Sequence, residues 1–289
     1  PIWAALGWAR GEAEGWIDVQ RDQFKRLGVT ADWANRYATM DYGTEAAIVA
    51  EFHKFKNSGQ LYRGSKPVMW SPVERTALAE AEIEYHDHVS PPIWVKFPVT
   101  GATDDHDDDL LAFRHATPSI VIWTTTPWTI PSNLAVAFHP EVDYGLYDID
   151  GTAVIVAERL AEQVAGAVGR NFGATLVSLK GGALEGLRFR HPLYDRDSVG
   201  VLADYVTLEQ GTGAVHTAPG HGADDYTTGV RYGLEIYAPI GPSGRFDDDV
   251  EIVGGEKVFD ANPKVEVALA EAGRLWHSEP LDHTYPHCW

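Results

Sequence analysis

Between residues 11 and 28, GEAEGWIDVQRDQFKRLG sets Ile17, Phe24 and Leu27 along one helical face and stops at Gly28, a residue suited to a helix C-cap. TEAAIVAEFHKFKNSG (44–59) does the same with Ile48, Phe52 and Phe55 and stops at Gly59. LYRGSKPVMW (61–70) reads as a strand interrupted by Pro67, and 74–85 as a short Ala/Glu-rich segment. Residues 1–88 are therefore expected to be mostly helical. From 91 to 260 the pattern changes. Short apolar runs such as PIWVKFPV, SIVIWTTT, LAVAF, AVIVA and AVHTAP alternate with Gly, Pro and Asp. That texture predicts a β-rich, barrel-like domain with a few helices. One helix is expected over 158–169, and another from Asp224–Asp225 to near Gly233. A third is expected over 262–275, with Asn262 as N-cap, Pro263 at the first helical position and Gly273 near the end. No internal repeat is visible.

Composition narrows the class. Hydrophobic residues make up 44% of the 289 and aromatics 11%, enough for a packed core. No apolar run approaches the ~18 residues of a membrane span, and no leader pattern is present. The chain starts at Pro1 and stops at Trp289 just after a turn-like stretch, and is expected to be a piece of a longer protein. Its one cysteine, Cys288, cannot form an internal disulfide, which fits a reducing cytoplasm. The net charge of −19 argues against broad nucleic-acid binding, which relies on basic residues at phosphates. It leaves room for a pocket that takes one nucleic-acid end.

Two stretches carry candidate chemistry. WTTTPWTIPSN (123–133) puts three adjacent hydroxyls where a strand should end. Threonine suits strands, so packing explains part of the run. GTGAVHTAPGHGADDY (211–226) places Gly wherever the backbone must turn or approach closely, and gathers His216, His221, Asp224 and Asp225. The two aspartates fall where a helix begins and suit its dipole. The spacing His-x₄-His-x₂-Asp-Asp leaves a metal-dependent hydrolase built on His216, His221 and Asp224 as an alternative. It is not, however, the helical zinc-protease pattern, and no cysteine pair assists. TDDHDDD (103–109) reads as a solvated acidic loop. There is no nucleophile elbow and no P-loop, so direct attack by a positioned water is the simpler chemistry.

Together, the two stretches resemble the editing domain of isoleucyl-tRNA synthetases. The valyl and leucyl relatives typically carry Thr-Thr-Arg-Pro at the first site and Ala-His-Asp at the second. Here Thr124-Thr125-Thr126-Pro127-Trp128-Thr129 and Gly220-His221-Gly222 look isoleucyl-type. RDQFKRLGVTADW (21–33), the run 62–97, VFDAN (258–262) and HTYPHCW (283–289) extend the likeness over nearly the whole chain. There are two departures. Ser71-Pro-Val-Glu74 stands where many relatives have Cys-x₂-Cys, so no zinc site is expected there, and the family's ATP-site signatures are absent.

The resemblance implies an α+β fold: a β-barrel-like editing domain with peripheral helices, preceded by a helical segment from the edge of the class I nucleotide-binding core. Residues 1–88 would be the approach from that core, 89–276 the inserted editing domain and 277–289 the return. It implies hydrolysis of mischarged valyl-tRNA(Ile), with no cofactor for editing itself and with ATP and Mg serving the parent enzyme. The partners would be the valine-bearing 3′ end of tRNA(Ile) and the rest of the synthetase, in the cytoplasm and without a membrane. Asp225 matches the aspartate that holds the substrate ammonium. Thr124, Thr125 and Thr126 match the segment that binds the adenosine end and places water, and His216 matches the residue that limits pocket size. Asn133, Thr129, His221 and Gly220 complete the expected substrate-binding set. A fragment that only binds the tRNA end, without hydrolysis, is the remaining alternative.

Overall fold

The computed structural model describes residues 2–101, 118–149 and 151–288. The expected acidic loop at 103–109 lies outside them. The chain divides into two compact units, 1–65 and 66–289.

In the first unit, helix α1 (Ile2–Arg26) begins well before the residue-11 start read from periodicity, and α2 (Tyr42–Asn57) follows. Arg36 bridges to Glu14 at 2.7 Å, and Arg10 to Glu45 at 2.5 Å. The apolar stripe of α2 finds no burial: Ile48, Phe52 and Phe55 are each more than half exposed. After α2 the expected helical character ends. A two-stranded ladder, β1 (Trp70–Ser71) with β2 (Thr76–Ala77), and a single 3₁₀ turn (Glu80–Glu82) occupy 70–82.

The second unit is built on one large sheet. Its strands are β4 (Ile93–Gly101), β5 (Ser119–Thr124), β6 (Ala135–Phe138), β7 (Asp143–Ile149), β8 (Thr152–Ala157), β9 (Val177–Lys180), β10 (Arg188–Arg190), β11 (Asp197–Leu202) and β12 (Ala214–Thr217). The order across the sheet is β12-β6-β11-β10-β4-β5-β8-β7-β9, and β13 (Leu275–Ser278) pairs with β4. Pairing is antiparallel except for β6 with β11 and β5 with β8. A separate ladder joins β3 (Ile83–Ser90) to β14 (Leu281–Cys288).

The sheet curls so that β12 lies against β5. Among the described residues no hydrogen-bonded ladder joins β12 to β9, so the barrel-like domain is an open, curled sheet. Alternation along β6 divides the interior. Val136 and Phe138 join the main core with Ile93, Phe97, Ile122 and Leu146, while Ala135 and Ala137 face a smaller cluster with Val201 and Val206.

Helices cover the sheet. The expected helix at 158–169 is a 3₁₀ turn running into α3 (Ala161–Ala167), and α4 (Ala223–Arg231) starts where its aspartates predict. The last helix, α5 (Val258–Glu271), departs from expectation. It begins four residues before Asn262, which is therefore not its N-cap. Val258, Ala261, Val265 and Leu269 form a buried helical stripe, and burying that whole stripe outweighs the backbone hydrogen bond that Pro263 removes inside the helix. Asn262 Oδ1 instead accepts the backbone N–H of Trp128 at 2.9 Å, tying α5 to the threonine-rich segment.

Tyr144 ties the Gly-rich stretch to this frame. It is fully buried, donates to the Gly213 carbonyl at 2.5 Å and accepts from His139 N–H at 3.1 Å. Tyr144→Phe removes the partner of a buried carbonyl and of a part-buried N–H. It should lower the unfolding free energy by about 1–3 kcal/mol in urea titrations, and a change within error would contradict the role given to this hydroxyl.

Candidate functional site

Strand β5 ends at Thr124 because Pro127 cannot continue the ladder; it opens a 3₁₀ turn, Pro127–Ser132, that carries a second proline. Thr124 is buried, and its Oγ1 accepts the N–H of Thr126 at 3.1 Å and lies 3.2 Å from Thr126 Oγ1. Thr129 donates its hydroxyl to the Thr126 carbonyl at 2.8 Å and meets His216 Nε2 at 3.0 Å. The hydroxyls of Thr124, Thr126 and Thr129 are thus engaged within the protein. Among the described residues, Thr125 is the member of the triplet whose half-buried side chain makes no such bond.

Asn133 closes the turn and is fully buried. Its amide donates to the Ala135 carbonyl at 2.8 Å and its Oδ1 accepts from Ser198 Oγ at 2.5 Å. That geometry makes it a clamp for the turn and leaves little for a ligand. Three residues not singled out from the sequence share this work. His191 Nε2–H donates to the Ile130 carbonyl at 2.9 Å, and its Nδ1 accepts the N–H groups of Leu193 and Tyr194. Arg196 donates to the carbonyls of Pro131 and Asn133 at 2.5 and 3.0 Å, and Ser198 holds the Asn133 amide oxygen.

Strand β12 carries His216 opposite Val136, on the inward side. Gly213 has φ 78° and lies where a Cβ would come within 2.3 Å of Ala157 Cβ, so glycine is required. Past the strand the chain turns sharply. A Cβ on Gly220 would sit 2.4 Å from the Tyr237 carbonyl, so this residue serves close packing of the turn. His221 reaches back across it: Nε2 is 2.9 Å from Ser132 Oγ, and its ring stands edge-on to Trp128 with centroids 5.3 Å apart. His216 and His221 are thus both bonded to the threonine-rich turn.

Asp225 is the third residue of α4 and half-buried, with the Ala218 N–H favouring its charged form. Burial pushes its pKa up to about 6 and the neighbouring Asp224 adds to this, against the opposing Ala218 N–H. A Cβ on Gly222 would lie 2.8 Å from Asp225 Oδ2, so that glycine makes room for the carboxylate. Tyr205, also missed from the sequence, lies beside Thr217, Thr228 and Asp225 without reaching hydrogen-bond geometry. Among the described residues no hydrogen bond or ion pair joins Asp225 to the threonine triplet or to His216. The connection is the segment Thr217–Gly222.

The metal-hydrolase constellation does not assemble. Nε2 of His216 and of His221 each face a hydroxyl, Asp224 is exposed, and no three His, Cys, Asp or Glu among the described residues are placed to hold a metal ion. Nor do two surface depressions, one beside Pro263 and Lys264 and one beside Trp94 and Trp123, include the site residues.

With the fold and this geometry established, comparison with known proteins places the chain. The family model for class I tRNA synthetases (I, L, M and V) matches residues 8–272, and the chain belongs to that family. It is similar to the isoleucine–tRNA ligase of Nitratidesulfovibrio vulgaris strain Miyazaki F, 49% identical over 97% of this chain and 30% of that protein. The isoleucine–tRNA ligase of Desulfotalea psychrophila is 47% identical over 100% of this chain, again over 30% of its own length. The chain therefore spans under a third of these relatives. In fold it is similar to the crystal structure of the P. knowlesi cytosolic leucyl-tRNA synthetase editing domain. The TM-score is 0.50 and the identity 13%, covering 65% of this chain and 96% of that one. No helix among the described residues is long and apolar enough to cross a membrane.

The buried histidines make stability pH-dependent. Burial holds His191 down to about 3, with the Arg196 charge adding to it, and holds His216 and His221 down to about 4, with His221 contributing at His216. Unfolded imidazoles titrate near 6.5, so between these values the unfolded chain binds more protons and stability falls as pH is lowered. Asp225 has the opposite sign: its folded value, about 6, lies above the ordinary 3.8, so its protonation favours the fold as pH drops. Three imidazoles outweigh it, each contributing up to ~1.4 kcal/mol per pH unit inside its window. The urea midpoint should therefore be lower at pH 5 than at pH 7; equal midpoints would contradict neutral burial of these rings.

Proposed function

We propose that this chain is the portion of an isoleucine–tRNA ligase that hydrolyses mischarged valyl-tRNA(Ile). The observation that carries the reading is Asp225. It is a half-buried carboxylate without a cationic partner among the described residues, seated at the end of a turn that is hydrogen-bonded back to the threonine-rich segment. A carboxylate so placed calls for a cation, and the α-ammonium of an aminoacyl ester supplies one through a charge-assisted hydrogen bond. The relatives' names and the family membership support the same substrate class.

In this reading Asp225 binds the ammonium, and Thr125 with the backbone at Thr124–Thr126 receives the adenosine end. His216 forms the wall against the larger side chain, and a water held between them attacks the ester carbonyl. Rate comes from positioning, not from a covalent intermediate. The chemical task is set by one methylene. A hydrophobic pocket distinguishes its presence by only ~1–3 kcal/mol, and the isoleucine–valine pair is the standard illustration of that limit and of a second, hydrolytic sieve as its remedy.

ATP-driven activation, with its Mg, would belong to the rest of the synthetase, in the cytoplasm. Residues 1–88 would lead out of that core, 89–276 would be the editing insert and 277–289 would return. The exposed Ile48, Phe52 and Phe55 support a first segment made to pack against further protein.

Asp225→Ala should keep the fold and reduce hydrolysis of valyl-tRNA(Ile) at least ~10–100-fold, the scale of one charged hydrogen bond. An unchanged deacylation rate would remove Asp225 from the mechanism. In the wild type, hydrolysis should fall as pH drops through about 6, where free Asp225 takes up its proton.

A further inference from the structure

Thr129 Oγ1 lies 2.8 Å from the Thr126 carbonyl, which can only accept and which also takes the Thr129 N–H at 3.0 Å, and 3.4 Å from Thr126 Oγ1. With the hydroxyl proton on that carbonyl, the 3.0 Å contact with His216 Nε2 has one polarity: the ring N–H donates and the Thr129 oxygen accepts. His216 is then the Nε2–H imidazole, and Nδ1 keeps a bare lone pair. That nitrogen is buried and has no hydrogen-bond partner among the described residues, in a side chain only 8% exposed. Buried acceptors are almost always satisfied by protein or ordered water, so this nitrogen, at the candidate site, is open to an O–H donor.

Resting on the editing reading above, we infer that Thr129 is a positioning residue: it fixes the tautomer of His216 and so presents Nδ1 as an acceptor for an O–H group at the ester. Thr129 is not itself a substrate contact, since its oxygen is engaged on both sides and its side chain is buried. Two O–H donors fit the chemistry, the attacking water and the free hydroxyl beside the ester on the terminal ribose. His221 and His191 are the titratable groups electrostatically linked to His216, and both are held neutral by burial, so neither supplies a charge that would reverse the tautomer.

Proton–nitrogen correlation spectra of this chain with ¹⁵N-labelled histidine test the assignment without reference to activity. His216 should show a protonated Nε2 and a bare Nδ1. Thr129→Val, which keeps the shape and removes the acceptor, should lose that preference, and Thr129→Ser should restore it. In valyl-tRNA(Ile) hydrolysis, Thr129→Val should lower kcat about tenfold, the effect of one neutral hydrogen bond, with KM little changed, while Thr129→Ser stays near wild type. If the ribose hydroxyl is the donor, the Val penalty disappears on tRNA whose terminal ribose lacks it; if water is, the penalty persists. An active chain with Nδ1 protonated, or a Ser variant that fails to restore tautomer and rate, overturns the inference alone. The Nε2–H tautomer in a chain with no valyl-tRNA hydrolysis overturns the editing reading, and the acceptor's role with it. Should the Val variant not fold, the wild-type spectrum and the Ser variant decide.

Discussion

Buried backbone must be hydrogen-bonded, and the 3₁₀ turn Pro127–Ser132 places five of its six residues under that constraint. Local N–H groups meet the Thr126 and Ile130 carbonyls, from Thr129 and Asn133, and side chains add further donors. His191 also takes Ile130, Arg196 takes Pro131 and the flanking Asn133, and the turn's own Thr129 hydroxyl takes Thr126. Asn262 of α5 accepts from the Trp128 N–H on the other side. Once gripped in this way, the turn has no freedom to move His216 or His221, which rest on it through Thr129 and Ser132. The geometry of the site is thus inherited from the need to satisfy one piece of backbone.

The Gly-rich stretch meets a different constraint. Gly213, Gly220 and Gly222 each lie where a Cβ would collide, with Ala157, with the Tyr237 carbonyl and with the Asp225 carboxylate. The last of these lets a carboxylate sit half-buried at a helix start. The helix dipole and the Ala218 N–H favour its charge, but burial wins and raises its pKa. In the proposed function, an ammonium bound there would reverse the balance and favour the charged carboxylate.

Much of this was legible in the sequence because it is local. A strand ending among the threonines, the prolines that follow it and the helix starting at the aspartates follow from residue types and spacing. What was not legible depends on distance along the chain. His191, Arg196 and Ser198 meet the turn from some 60 residues away, and nothing in HPLYDRDS announces it. Asn262 looked like a cap because Pro263 follows it, yet the buried stripe that begins at Val258 set the helix start. Strand texture alone also could not tell a closed barrel from an open sheet, since closure depends on which edges meet.

The proposed function requires this site to separate two esters that differ by one methylene. Comparing hydrolysis of valyl-tRNA(Ile) and isoleucyl-tRNA(Ile) by this chain under identical conditions tests it directly. The account predicts that the valyl ester is cleaved and the isoleucyl ester largely spared. Equal rates for the two would contradict it.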